Sequence, residues 1–149
     1  MTLVEQESMK VIVFQLADKE YAIPVTNVQG IEKLMHITRV PRTKPYVKGV
    51  INLRGVVTPI IDLRERFGLP KSELNDAVRI IIIQLDDIEV GFIVDSANDV
   101  LDIPLSAIEP QPEVVGVEEE SFISGVSKVQ DRLLILLHLD QVLDLSESV

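Results

Sequence analysis

A chain without cysteine must draw any chemistry from histidine, carboxylates, hydroxyls or phosphate-cradling glycines, and spacing tests each of these. His36 lies beside a strand-like run, and His138 lies inside one, LILLHLDQVL. Neither has the neighbouring histidine or cysteine that a metal site needs, so both read as packed or surface residues. Carboxylates gather at Asp86-Asp87-Glu89 and at Glu118-Glu119-Glu120. A turn between strands and a solvated acidic loop explain both, whereas an acid–base pair needs carboxylates held apart across a cleft. None of the nine serines sits in a Gly-x-Ser-x-Gly elbow, and the seven glycines are scattered singly rather than gathered into a phosphate loop. No catalytic set, metal site or cofactor emerges, and the expectation is a protein that works without enzymatic activity.

The elements around these residues are strands. Apolar residues make up 46% of the chain and aromatics only 4%, so the core falls to Val, Ile and Leu, whose branching suits a pleated surface. Apolar or alternating runs predict strands at Val11–Leu16, Tyr21–Val25, Val50–Leu53, Val56–Ile61, Ile80–Leu85, Val90–Val94 and Leu133–Leu139. Polar or glycine turns separate them. Short helices are predicted over Asp62–Phe67 and Asp140–Leu145. At 149 residues, about one domain's worth, the reading is an all-β body with a few short helices.

Charge and hydropathy narrow the partners. A net charge of −10 argues against nucleic acid, and the longest apolar runs are four or five residues, against about 20 for a membrane-spanning helix. The amino-terminal MTLVEQESMK has no apolar run of the signal-peptide kind, and the lack of cysteine suits a reducing cytoplasm. Between Arg39 and Arg66 seven basic residues stand against two acidic ones, so this window is +5 and the remainder −15. A solvated basic loop and a docking patch for an acidic protein both fit.

The chain also matches itself. Displaced by 69 positions, KVIVFQLADKEYAIPV (10–25) lies over RIIIIQLDDIEVGFIV (79–94), with Gln15 on Gln84 and Glu20 on Glu89. Displaced by 76, KGVINLRGVVTPIIDL (48–63) lies over SGVSKVQDRLLILLHL (124–139), with Gly49 on Gly125. β-hairpins resemble one another in apolar pattern. Two ordered matches at similar offsets are better explained by duplication of a strand-rich unit of about 70 residues, near the lower limit for folding alone. The expectation is one domain over 8–145. Its two small barrels, from halves at roughly 10–70 and 79–145, pack as one body and exchange terminal strands where the packing requires it.

YVKGVINLRGVVTPIIDLRERFGL (46–69) resembles the signature of the CheW family of chemotaxis coupling proteins. In order with it stand FQLADKEYAIPVTNVQGI (14–31), VGFIVDSANDVLDIP (90–104) and ISGVSKVQDRLLILLHLDQVL (123–143). NLRG alone is weak, but four ordered blocks covering roughly 8–145 are specific. The resemblance implies two SH3-like five-stranded β-barrels, no enzymatic activity and no cofactor. It implies a cytoplasmic adaptor recruited to membrane-associated arrays without inserting into the membrane. Its partners would be the regulatory domain of the histidine kinase CheA and the cytoplasmic tips of methyl-accepting chemotaxis receptors. The same fold could also serve a non-motility chemosensory pathway or form the coupling half of a CheV-like protein, although no receiver domain is present for a complete one. From another class, a small barrel enzyme or ligand carrier would need a polar-lined pocket for which the sequence offers no residue set.

Residue by residue, the resemblance places Val25, Val28, Ile31 and Arg54 at receptor-binding positions. Core packing explains the three aliphatics equally well, and a plain turn explains the arginine. Lys48 and Gly49 match kinase-binding positions in the first barrel, though Gly49 also fits a simple conformational need. Val114 matches a kinase-binding position in the second. The chain departs from the family at Gly30, where many relatives carry an acid before the residue matching Ile31. The ion pair that the family pattern implies from that acid to Arg54 is therefore not expected, and Glu32 is expected on the opposite strand face, not simply substituting for it.

Overall fold

The computed structural model describes residues 7–70, 75–110 and 122–143. Its strands are β1 (Ser8–Leu16), β2 (Lys19–Pro24), β3 (Val28–Lys33), β4 (Val47–Leu53), β5 (Val56–Asp62), β6 (Arg79–Leu85), β7 (Ile88–Val94), β8 (Ser96–Pro104), β9 (Ile108–Glu109), β10 (Ile123–Val129) and β11 (Arg132–Leu137). One-turn helices α1 (Leu63–Arg66) and α2 (Leu139–Val142) follow β5 and β11. The Asp62 carboxylate caps α1 by accepting the Arg64 and Glu65 N–H groups. The tight reversals place Arg54 and Gly55, and likewise Gln130 and Asp131, at positive φ, which matches the twist of the flanking strands.

The strands form two sheets, ordered β8-β1-β2-β11-β10-β9 and β3-β6-β7-β5-β4. Neither half of the chain closes on itself: β1 and β2 pair within the strands of the second half, and β6 and β7 within those of the first. The expectation of five strands in each barrel needs one correction, because β9 adds a sixth to the first sheet. Its counterpart in the other sheet is a single bridge, Thr38 to Val50. The duplication seen in the sequence extends to hydrogen-bond register. Val28 faces Ile83 and Gly30 faces Ile82, with Gln29 bulged between them; 69 residues away, Ala97 faces Phe14 and Asp99 faces Val13, with Asn98 bulged. Displaced by 76, every β4–β5 pair recurs in β10–β11, and α1 recurs as α2.

Two-sided burial explains the unbroken apolar strands. Ile80 and Ile82 fill the interior of the five-stranded barrel with Ile51, Ile60 and Ile93. Val11 and Val13 fill the six-stranded one with Ala22, Ile103, Leu134 and Leu136. The intervening residues, Ile81 and Ile83 from β6 and Ile12 and Phe14 from β1, meet between the sheets in the largest core. Phe14, Tyr21, Phe67 and Phe122 run through that core as a chain of ring contacts.

Three arginines lock the periphery. Arg64 grips Asp95 through Nε at 2.8 Å and Nη2 at 2.5 Å, while the Ala17 N–H also donates to that carboxylate. Burial works to raise the Asp95 carboxyl, but these donors outweigh it and hold it below the usual range. Arg66 lies over the rings of Tyr46 and Phe122 and donates to the Val142 carbonyl, joining α1 to α2. Arg132 bridges Glu20 and Asp99 with four hydrogen bonds of 2.7–3.0 Å. Its guanidinium holds both carboxyls below their ordinary values of 4.5 and 3.8.

Two outcomes follow for stability. Carboxylates whose folded pKa is depressed stabilise above the unfolded value and lose that contribution as pH falls. Arg132→Met should therefore cost about 1 kcal/mol at pH 7, a modest figure because the group is partly solvated. Urea unfolding at pH 7 and pH 3 should show that cost shrinking at the lower pH; an equal cost at both would contradict the assignment. Gly49, at φ 142°, could hold a Cβ only 2.1 Å from the Thr38 carbonyl oxygen, whereas one on Gly30 would meet nothing closer than 3.5 Å. Gly49→Ala should thus cost roughly 3 kcal/mol and Gly30→Ala less than about 0.5 kcal/mol in the same assay.

Candidate functional site

The four residues matched to receptor binding all surround β3, on two different faces. In an unbroken strand Val28 and Ile31 would point to opposite sides. The extra residue at the Gln29 bulge turns both to the face of Ile81 and Ile83, toward the inter-sheet core. Val25, in the 3-10 turn entering β3, packs against the same core, as does Val28. Ile31 does not: at 42% exposure it is a bare aliphatic on an edge strand. The three thus form a graded apolar face, anchored at Val25 and Val28 and open at Ile31.

Arg54 lies on the other side of β3. It stands in the β4–β5 turn and lines a cleft of about 210 Å³ at the mouth of the five-stranded barrel, with Gln29, Gly30, Glu32, Leu53, Val56, Ile82 and Glu89. The expectation that Glu32 points away from this place is wrong. Gly30 and Glu32 are two residues apart, share a face and line the same cleft, and Glu32 Oε2 lies 3.5 Å from where a Gly30 Cβ would stand. Among the described residues no ion pair joins Glu32 to Arg54. Glu89 accepts a hydrogen bond from the Thr58 hydroxyl at 3.2 Å.

Lys48 and Gly49 sit together on β4. Lys48 is the bulged residue between the Val47–Ile61 and Gly49–Ile60 pairs, and its ammonium is ion-paired to Glu65 of α1. Asp62, nearby, is raised chiefly by burial, against the N–H groups it caps and the positive Lys48. Gly49 occupies no turn. The close approach of the Thr38 backbone excludes a side chain there, as the Glu109 carbonyl does at Gly125. Val114 and Glu118-Glu119-Glu120 lie outside the described residues.

The basic window disperses once folded. Arg64 is committed to Asp95, Arg66 to backbone carbonyls and rings, and Lys48 to Glu65. Arg39 and Arg42 remain on the exposed segment before β4. His36 is exposed, and His138 precedes α2 at its amino end. No group of three His, Cys, Asp or Glu residues among those described could hold a metal, and no described helix is long and apolar enough to cross a membrane. The bulge in β3, the Asp95–Arg64 lock and the Glu89 side of the cleft escaped the sequence. For the cleft alone, the Gly30/Asp99 and Val56/Arg132 differences between the two repeats carried a signal.

The family described as CheW-like domain matches residues 10–147. "Chemotaxis protein CheW" of Bacillus subtilis is 52% identical over 139 residues, covering 93% of this chain and 89% of that protein. The protein of the same name from Helicobacter pylori is 37% identical, covering 93% and 83%. Among solved structures, the scaffolding protein TtCheW from Thermoanaerobacter tengcongensis superposes with a TM-score of 0.82 at 35% identity, covering 89% of this chain and 90% of that one. Two interlocked barrels, four ordered sequence blocks and relatives matched over most of their lengths lead to one conclusion: this chain belongs to the CheW-like domain family.

Proposed function

We propose that this chain is a non-enzymatic chemotaxis adaptor that couples the cytoplasmic tips of methyl-accepting receptors to the regulatory domain of the histidine kinase CheA. The observation that carries the proposal is the family match across residues 10–147, with relatives named for chemotaxis at up to 52% identity. The geometry supports a binding role. The graded apolar face at Val25, Val28 and Ile31 suits the apolar side of a receptor helix, and a few desolvated aliphatics suffice to anchor such contacts. Arg54 flanks that strand from the opposite side and would set the docking orientation through charge. The kinase would meet the first barrel around Lys48 and Gly49 and the second around Val114. The protein would work in the cytoplasm, gathered beneath the membrane by its receptors.

Ile31→Asp is the cleanest test, because Ile31 is exposed whereas Val28 also supports the core. In pull-downs with a receptor-tip fragment and a CheA regulatory domain, Ile31→Asp and Arg54→Glu should each weaken receptor capture about tenfold or more while kinase capture persists. Unchanged receptor capture by folded Ile31→Asp would reject the assigned face. A wild-type protein that captures neither partner would reject the adaptor reading.

A further inference from the structure

The two sheets share a register but finish their mouths differently. In the six-stranded sheet Arg132, the first residue of β11, spans Glu20 of β2 and Asp99 of β8, and the Asn98 amide donates to Glu20 at 3.2 Å. In the five-stranded sheet the residues in the same register are Val56 for Arg132, Glu89 for Glu20, Gly30 for Asp99 and Gln29 for Asn98. A carboxylate is supplied from two residues along, since Glu32 lines the same cleft and places its Oε2 3.5 Å from where a Cβ on Gly30 would stand. Both carboxylates and the amide are therefore kept, and the guanidinium alone is gone. In its place is the cleft of about 210 Å³, lined by Gln29, Glu32 and Glu89.

We propose that the mouth of the five-stranded barrel is an open guanidinium site, which takes an arginine side chain from a docking protein in the position that Arg132 fills in the other barrel. The planar fork of arginine matches two carboxylates on strands separated by one intervening strand, as the Arg132 bridge between β2 and β8 demonstrates within this molecule. Arg54 stands on the rim, at the position of Gln130, and pairs with neither Glu32 nor Glu89 among the described ion pairs. Glu32, Glu89 and Arg54 sum to −1, so one incoming guanidinium neutralises the cleft. The site does not depend on which protein covers the opposite face at Ile31.

The test titrates Nα-acetyl-arginine amide into the isotope-labelled full chain and follows backbone amide resonances, with the citrulline analogue as the uncharged control. The arginine probe should give saturable shifts at Gly30, Glu32 and Glu89 and bind at least about tenfold more tightly than the citrulline probe. Glu89→Gln, which can still accept from Thr58, should weaken binding by about the same factor. Val56→Arg should abolish it by supplying the guanidinium internally, whereas Asp86→Asn, on the turn outside the cleft, should leave it unchanged. Equal binding of both probes, shifts indifferent to Glu89→Gln, or binding intact in Val56→Arg would overturn the proposal. So would binding seen only in Arg54→Gln, which would mean that the site is filled from within. Free L-arginine binding more tightly than the capped amide would mark a small-molecule site and overturn the assignment to a protein partner.

Discussion

Every central strand of this protein must be buried on both faces, and the rest of the architecture answers that requirement. A strand such as β6, with isoleucine at four successive positions, needs an apolar partner above and below it. A single 70-residue unit cannot supply both, because closing one small barrel leaves the outer face bare. The chain meets the need by lending the first hairpin of each half to the other half's sheet. The faces left outside the barrels then meet in the shared core around Phe14, Tyr21, Ile81 and Phe92. Neither barrel can be completed without strands from both halves of the chain, so the two should unfold as one cooperative body.

Against this repeated frame, the places where the two halves differ are informative. Backbone-determining features recur at corresponding positions: the bulges at Gln29 and Asn98, the close-approach glycines Gly49 and Gly125, and the left-handed turns at Arg54 and Gln130. The chemistry carried at those positions has diverged. Lys48, tied to Glu65, stands where Ser124 stands in the other half; the capping Asp62 corresponds to His138, and Val56 to Arg132. Register is a constraint of folding and is preserved, while side chains at mouths and edges are free to differ. The exposed Ile31 and the open barrel mouth both lie on the β3 side of the five-stranded sheet, whereas the corresponding mouth of the six-stranded sheet is shut by the Arg132 bridge.

Much of this was legible in the residues. The hairpins were marked by apolar runs around polar turns, and the duplication by two offsets that the hydrogen-bond register reproduces. The helix after β5 was expected over Asp62–Phe67, and Asp62 proves to be its cap rather than its first residue. β3 and β8 were not legible from pattern, because each is an edge strand with a bulge. The extra residue breaks the period of two, and one flank faces solvent. Glu32 was misplaced by a slip in parity: Gly30 and Glu32 are separated by two residues, not one, and so share a face. Asp95 was invisible for a different reason. Its meaning depends on Arg64, 31 residues away, and no local spacing announces that pairing.

The proposed function requires this chain to transmit receptor state to a kinase by binding both. The measurement that reaches this claim most directly is CheA autophosphorylation in reconstituted membranes containing a chemoreceptor, with and without the protein. The account predicts that kinase activity comes under control of the receptor's ligand only when the protein is present. Ligand control that is the same in its absence, or that never appears when all three are combined, would contradict it.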